Sequence, residues 1–172
     1  MADIILDNIY LILLLPLWIF LIIMSARFFA VYVNNKIIYT LTLLSSFFGI
    51  LLCSVSLLKL TAAIEQSFPF IKIGNFVLDF GLHVDKLSLI IALVLFLVSF
   101  LVQMFSIPYM KDEPKQYRFY AYLNMFNFSM AGLLFSPNLF QMYFFWELVG
   151  VMSYLLIGFD YKNIVKSEAS RR

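Results

Sequence analysis

Charge is scarce in this chain. Asp, Glu, Lys and Arg make up 13% of the 172 residues, where an average globular protein has about a quarter. The net charge of +2 is too small to suggest a grip on nucleic acid. Cysteine occurs once, as Cys53 inside an apolar run, so no disulfide can close within the chain. Histidine also occurs once, as His83, and no Cys/His cluster offers a metal site. There is no glycine-rich nucleotide loop, no nucleophile–base pair and no haem-type ligand pair. What abounds is apolar: 63% of residues are hydrophobic and 19% aromatic. A soluble chain of this length could bury a core but could not hide that much apolar surface, which makes this an integral membrane protein.

A membrane helix needs about 20 predominantly apolar residues, and five stretches supply them. The first runs from Asn8 to Ala26 and continues past Arg27 towards Val33. The others are Ile37–Leu58, Leu87–Ile107 with Pro108 as a stop, Phe119–Phe135 ended by Ser136-Pro137, and 139–159. Residues 1–8 carry Asp3 and Asp7 and no basic residue, and no small-x-small cleavage signal follows, so the first stretch reads as a retained helix. With the N-terminus outside, nine basic residues fall on inner segments and three, Lys59, Lys72 and Lys86, on outer ones, which favours N-terminus out and C-terminus in. Loop 59–86 is the long one. Its "FIKIGNFVLDF" (70–80) has β-prone arms around Gly74-Asn75, a two-residue turn of hairpin type. The expected fold is therefore all-α, a polytopic membrane protein with five transmembrane helices and a short outer β-hairpin. Residues 1–83 form a first part of two helices and the hairpin loop, and 84–172 a second part of three helices.

Within "LFQMYFFWELVGVMSYLLIGF" (139–159) one formal charge, Glu147, stands two residues from the midpoint. At ~1.5 Å per residue it is too deep for its short side chain to reach the headgroups. A charge at that depth costs roughly 2.5–3.5 kcal/mol or more and usually marks an ion path or a specific partner. Tyr143, Glu147, Gly150 and Tyr154 share one helical face, two phenols and a carboxylate beside a small residue that leaves room for water or a helix. The bland alternative is a protonated Glu bonded to a neighbouring helix for packing alone. Ser99, Gln103 and Ser106 on the third helix, and Asn124 and Asn127 on the fourth, form weaker polar stripes. They read as interhelical hydrogen-bonding groups, with water holding near Glu147 as the other reading. Asp85 is spaced to cap the third helix at Ser88. His83 reads as an ordinary surface histidine, and Trp18 as a lipid-facing or interfacial aromatic.

Three segments, "VDKLSLIIALVLFLVSFLVQMFSIPYM" (84–110), "YRFYAYLNMF" (117–126) and "NLFQMYFFWELVGVMSYLLIGF" (138–159), resemble the N-terminal part of the antiporter-like chain-5 subunits of complex I, the proton-pumping NADH:quinone oxidoreductase. The stretch 126–159 looks closest to the cyanobacterial and plastid form. Residues 1–83 match in hydropathy and loop placement alone. The resemblance implies that Glu147, the carboxylate of "FWELVG", is a switchable proton site paired with a lysine on a later helix; Tyr143 and Tyr154, on its helical face, are the candidates to line the path. It implies no cofactor in this chain, with NADH, FMN, iron–sulfur clusters and quinone held by partner subunits. It also implies as partners the other membrane-arm subunits, the remaining C-terminal helices of the same subunit and the bilayer. Family members have about fourteen to sixteen spans, so the lysine partner and most of the channel lie beyond these five, and "ASRR" (169–172) looks like the approach to a further helix. Asp160 stands where the family usually has an aromatic. An Na⁺/H⁺ antiporter subunit and a non-pumping assembly piece are the rival readings.

Overall fold

The computed structural model describes residues 2–29, 34–73, 76–111, 113 and 115–160. The elements are α1 (Ala2–Phe28), α2 (Asn35–Lys59), β1 (Ile64–Ile73), β2 (Phe76–Val84), α3 (Lys86–Tyr109), α4 (Gln116–Leu134) and α5 (Leu139–Ile157), followed by a 3-10 turn over Gly158–Asp160. Each expected helix is present, with ends that differ for physical reasons. The backbone of α1 starts six residues before the expected Asn8, because hydropathy marks the buried part of a helix and not the turns that project beyond it. It stops at Phe28, and the expected continuation through 30–33 lies outside the described residues. α3 runs on through Pro108, the expected stop, to Tyr109. A proline in the last turn forfeits a single backbone bond, and the Met110 N–H still closes on the Ser106 carbonyl at 2.8 Å.

Among the described residues, four helices are long and apolar enough to cross a membrane: Ile9–Phe28, α2, α3 and α5. α4 falls short of that measure, so four of the five expected spans meet it. Gln116, Asn124, Asn127 and Ser129 lower its hydropathy, yet all four are buried. α4 packs between α1 and α5 and touches α2 and α3. Its polar groups therefore meet protein, while the other helices turn residues such as Trp18, Phe47, Leu51 and Leu101 outward. Two glycines set the closest approaches. A Cβ on Gly49 would fall 2.5 Å from the Phe96 ring, and one on Gly132 would fall 2.3 Å from the Phe145 ring. Each glycine is thus the seat for an aromatic of the next helix.

The hairpin is longer than the eleven residues of 70–80. β1 and β2 pair antiparallel from Ile64 opposite Val84 to Ile73 opposite Phe76, with a register slip between Pro69 and Ile71. The expected Gly74-Asn75 turn lies outside the described residues. The strands extend because their inner ends find a place to bury. Leu82 and Val84 join Ile9, Ile12, Cys53, Leu60 and Leu89 in one apolar cluster over the ends of α1, α2 and α3. A second cluster, Ile19, Ile23, Ile38, Tyr120 and Ala121, holds α1, α2 and α4 together at the opposite end. Asp85 caps α3 as the spacing predicts. Its carboxylate accepts from the Ser88 N–H at 2.7 Å, and the Ser88 hydroxyl accepts from the Asp85 N–H at 3.0 Å.

Candidate functional site: a carboxylate on the uncovered face of α5

Asn138 starts α5 by accepting from the Gln141 N–H at 2.9 Å. The buried residues of α5 are Gln141, Phe145 and Met152. Phe145 meets Phe80 of the hairpin and Phe128 of α4. At about 100° per residue, Glu147 stands some 200° round the helix from Phe145. It is exposed, one residue short of the midpoint of α5 at Leu148. The expected face exists. Tyr143 is 58% and Tyr154 50% exposed, Gly150 is open with nothing within 4 Å of a Cβ built on it, and the Tyr143 phenol pairs with the Glu147 carboxyl one turn away. Trp146, 60% exposed, stands beside them. A groove of about 590 Å³ lined by Leu133, Leu139, Met142, Tyr143 and Trp146 runs along the same side. Among the described residues, no lysine or arginine pairs with Glu147. A carboxyl so placed can take up and release a proton when the polarity or charge of whatever covers it changes.

The reading of the other polar stripes as water holders near Glu147 is not what the fold gives. Ser99, Gln103, Ser106, Asn124 and Asn127 are all buried, and α5 itself stands between them and the outward-facing Glu147. Two of the pairs do bond between helices, as the first reading expected. The Ser99 hydroxyl donates to Asn127 Oδ1, and the Ser46 hydroxyl donates to Gln103 Oε1 at 3.1 Å. His83 is partly exposed, 3.8 Å from Glu65, in keeping with an ordinary surface histidine. Hydrogen bonds from Ser88, backbone first and then side chain, hold the Asp85 carboxyl below the usual carboxylate range.

Two groups were missed from the sequence. The first is Gln141, whose amide spans Gly81: it accepts from the Gly81 N–H and donates to the Gly81 carbonyl, both at 2.9 Å. Asn138 adds a bond to the Asp79 carbonyl at 2.7 Å. The Asn138–Gln141 spacing ahead of an apolar run is a capping pattern and could have drawn attention to both. The second is the polar stripe of α2, Thr42, Ser45 and Ser46, all buried. Its helical spacing was readable, but its partners were not.

The fold and this site define a class: a multi-helix membrane protein with a carboxyl at the middle of an apolar helix, on an exposed face. Comparison narrows it. Residues 70–120 match the family described as "NADH-Ubiquinone oxidoreductase (complex I), chain 5 N-terminus", and 136–172 the family described as "NADH:quinone oxidoreductase/Mrp antiporter, TM". The chain is 48% identical over 99 residues to an NAD(P)H-quinone oxidoreductase chain 5 of Picosynechococcus, a match covering 58% of this chain and 15% of that protein. It is 42% identical over 111 residues to the Synechocystis chain 5, covering 64% and 16% respectively. With the chloroplastic subunit 5 of Mesostigma viride the identity is 39% over 117 residues, covering 68% and 18%. The chain is a relative of the antiporter-like chain-5 subunits of complex I and aligns with their N-terminal part. It spans less than a fifth of the length of these curated relatives.

Proposed function

We propose that this chain forms the opening helices of a proton-translocating membrane-arm subunit of an NADH:quinone oxidoreductase. In this reading Glu147 is the proton-transfer group and Tyr143 and Tyr154 line its path. The observation that carries the reading is the pairing of depth with exposure: a carboxyl at the middle of an apolar helix, on a face that nothing else in the described chain covers. Further helices, in the same polypeptide or a partner, complete the site and bring a basic group to it. NADH, FMN, iron–sulfur clusters and quinone are held by other subunits. α4 crosses the membrane as a fifth span, its polar groups shielded by its neighbours, with the N-terminus outside and the C-terminus inside. The basic-residue asymmetry of nine to three supports that orientation.

Glu147→Gln in the assembled complex should lower both proton pumping and the quinone reduction coupled to it. Oxidation of NADH by an artificial acceptor at the peripheral arm should persist. Full pumping in the variant would refute the role. For orientation, a cysteine placed at Asn75 should react with an impermeant reagent from outside, and one at Lys115 only after permeabilisation; the reverse pattern would overturn it.

A further inference from the structure

A second polar region lies inside the body, away from Glu147. Five side-chain atoms there are shut from solvent and have no hydrogen-bond partner: Ser45 Oγ on α2, Gln103 Nε2 on α3, and Asn124 Oδ1, Asn127 Nδ2 and the Tyr120 hydroxyl on α4. The five residues are between 0% and 2% exposed. They are stacked in the half of the body that runs from mid-helix to the inner ends, since Ser45 and Asn127 stand near the middles of α2 and α4 and Tyr120 in the first turns of α4. Turning the amides over does not help. Gln103 Oε1 already accepts from Ser46, Asn127 Oδ1 from Ser99, and Asn124 Nδ2 donates to the Tyr120 carbonyl at 2.9 Å. Each flip exchanges a paired atom for an unpaired one.

Native interiors pair nearly all such groups, with protein or with ordered water. The mixture of groups identifies the ligand. Two are amide donors, one is an amide acceptor and two are hydroxyls that can do either. A metal cation would satisfy the oxygens and be repelled by the two amide nitrogens, and an anion would do the reverse. Water donates and accepts. Both ends of the seam are closed by the protein. On one side Phe96 is seated on Gly49, and on the other the Tyr39 hydroxyl donates to Gln116 Oε1.

We propose that the seam between α2, α3 and α4 is a binding site for internal water, which bridges the three helices through Ser45, Gln103, Tyr120, Asn124 and Asn127. A buried water makes about three hydrogen bonds, so five unmatched atoms call for about two molecules. None of the five residues carries a carboxylate or a basic group, so the water they hold is structural solvent, separate from the outward-facing Glu147.

Brief X-ray radiolysis of the assembled complex in ¹⁸O-labelled water tests this, because hydroxyl radicals formed from bound water oxidise the side chains it touches. Tyr120 and Phe135 are equally buried, at 0% each, and only Tyr120 is at the seam. After correction for intrinsic reactivity, ¹⁸O incorporation at Tyr120 should exceed that at Phe135 by about fivefold or more. Gln103→Leu and Asn127→Leu should each reduce it severalfold in complexes that still assemble. Labelling of Tyr120 no faster than Phe135 would overturn the proposal, and that comparison in the unaltered complex decides it even if neither variant assembles. Labelling that survives both Leu variants would overturn it as well.

Discussion

Gly132 and Gly150 have opposite surroundings, and they separate the two faces of α5. A Cβ at Gly132 would enter the Phe145 ring, while one at Gly150 would meet nothing. Gly132→Ala should therefore lower the stability of the chain by about 1–3 kcal/mol, the usual result of overpacking a close contact. Gly150→Ala should change it by less than about 0.5 kcal/mol. Unfolding of the two variants in detergent, followed by helicity, checks the contrast; equal losses would show that α5 does not sit on α4 through Gly132. Glu147 was legible at this scale because one carboxylate in an apolar run is conspicuous whatever the fold. The direction it faces was not. A helix with apolar residues all round has no sequence signal for its buried side, and the three residues that settle it, Gln141, Phe145 and Met152, are of different kinds.

Among elements, the hairpin shows how a loop can be fixed to a helix without covalent help. Gln141 is 1% exposed and spends both halves of its amide on Gly81. Gln141→Leu keeps the volume and strands the Gly81 N–H and carbonyl, so hydrogen exchange at the Gly81 amide should rise by about tenfold or more, corresponding to roughly 1.4 kcal/mol or more of lost protection. Unchanged exchange would mean the clamp contributes nothing. The cap of α3 makes a pH-dependent contribution. Ser88 favours the ionised form of Asp85, so the folded carboxyl titrates below its unfolded value of about 3.9. The stabilisation is complete above that value and is lost as pH falls through the folded titration point. Asp85→Asn, which keeps an acceptor, should remove this acid-side loss. Asp85→Ala should cost about 1 kcal/mol at neutral pH. Thermal unfolding at pH 7 and pH 3 distinguishes them. The hairpin and the cap were readable because both are local, a turn between β-prone arms and an Asp three residues before a Ser. The clamp joins positions sixty residues apart, and no local pattern carries that.

For the molecule as a whole, hydropathy along the chain marked all five helices, and the polar side chains of α4, the least apolar of them, are accommodated because four helices surround it. The same enclosure governs transport. The described residues offer one carboxyl at the middle of a helix and a buried polar seam elsewhere, whereas a proton path through hydrocarbon needs a continuous file of polar groups. Purified and reconstituted in liposomes with the potential clamped by potassium and valinomycin, the chain should leak protons no faster than empty liposomes. A leak abolished by Glu147→Gln would show that these helices suffice alone. One last consequence comes from β2. Its outward-facing groups alternate along the strand, and the Asp79 carbonyl, both groups of Gly81 and the His83 N–H are taken, by Asn138, Gln141 and the Phe135 carbonyl. The corner between α4 and α5 thus acts as a third strand in hydrogen-bonding terms. From Asp79 to His83 that border of the ribbon is occupied and is a poor template for another chain, in assembly or in aggregation, so a strand contributed from outside would add more readily along β1.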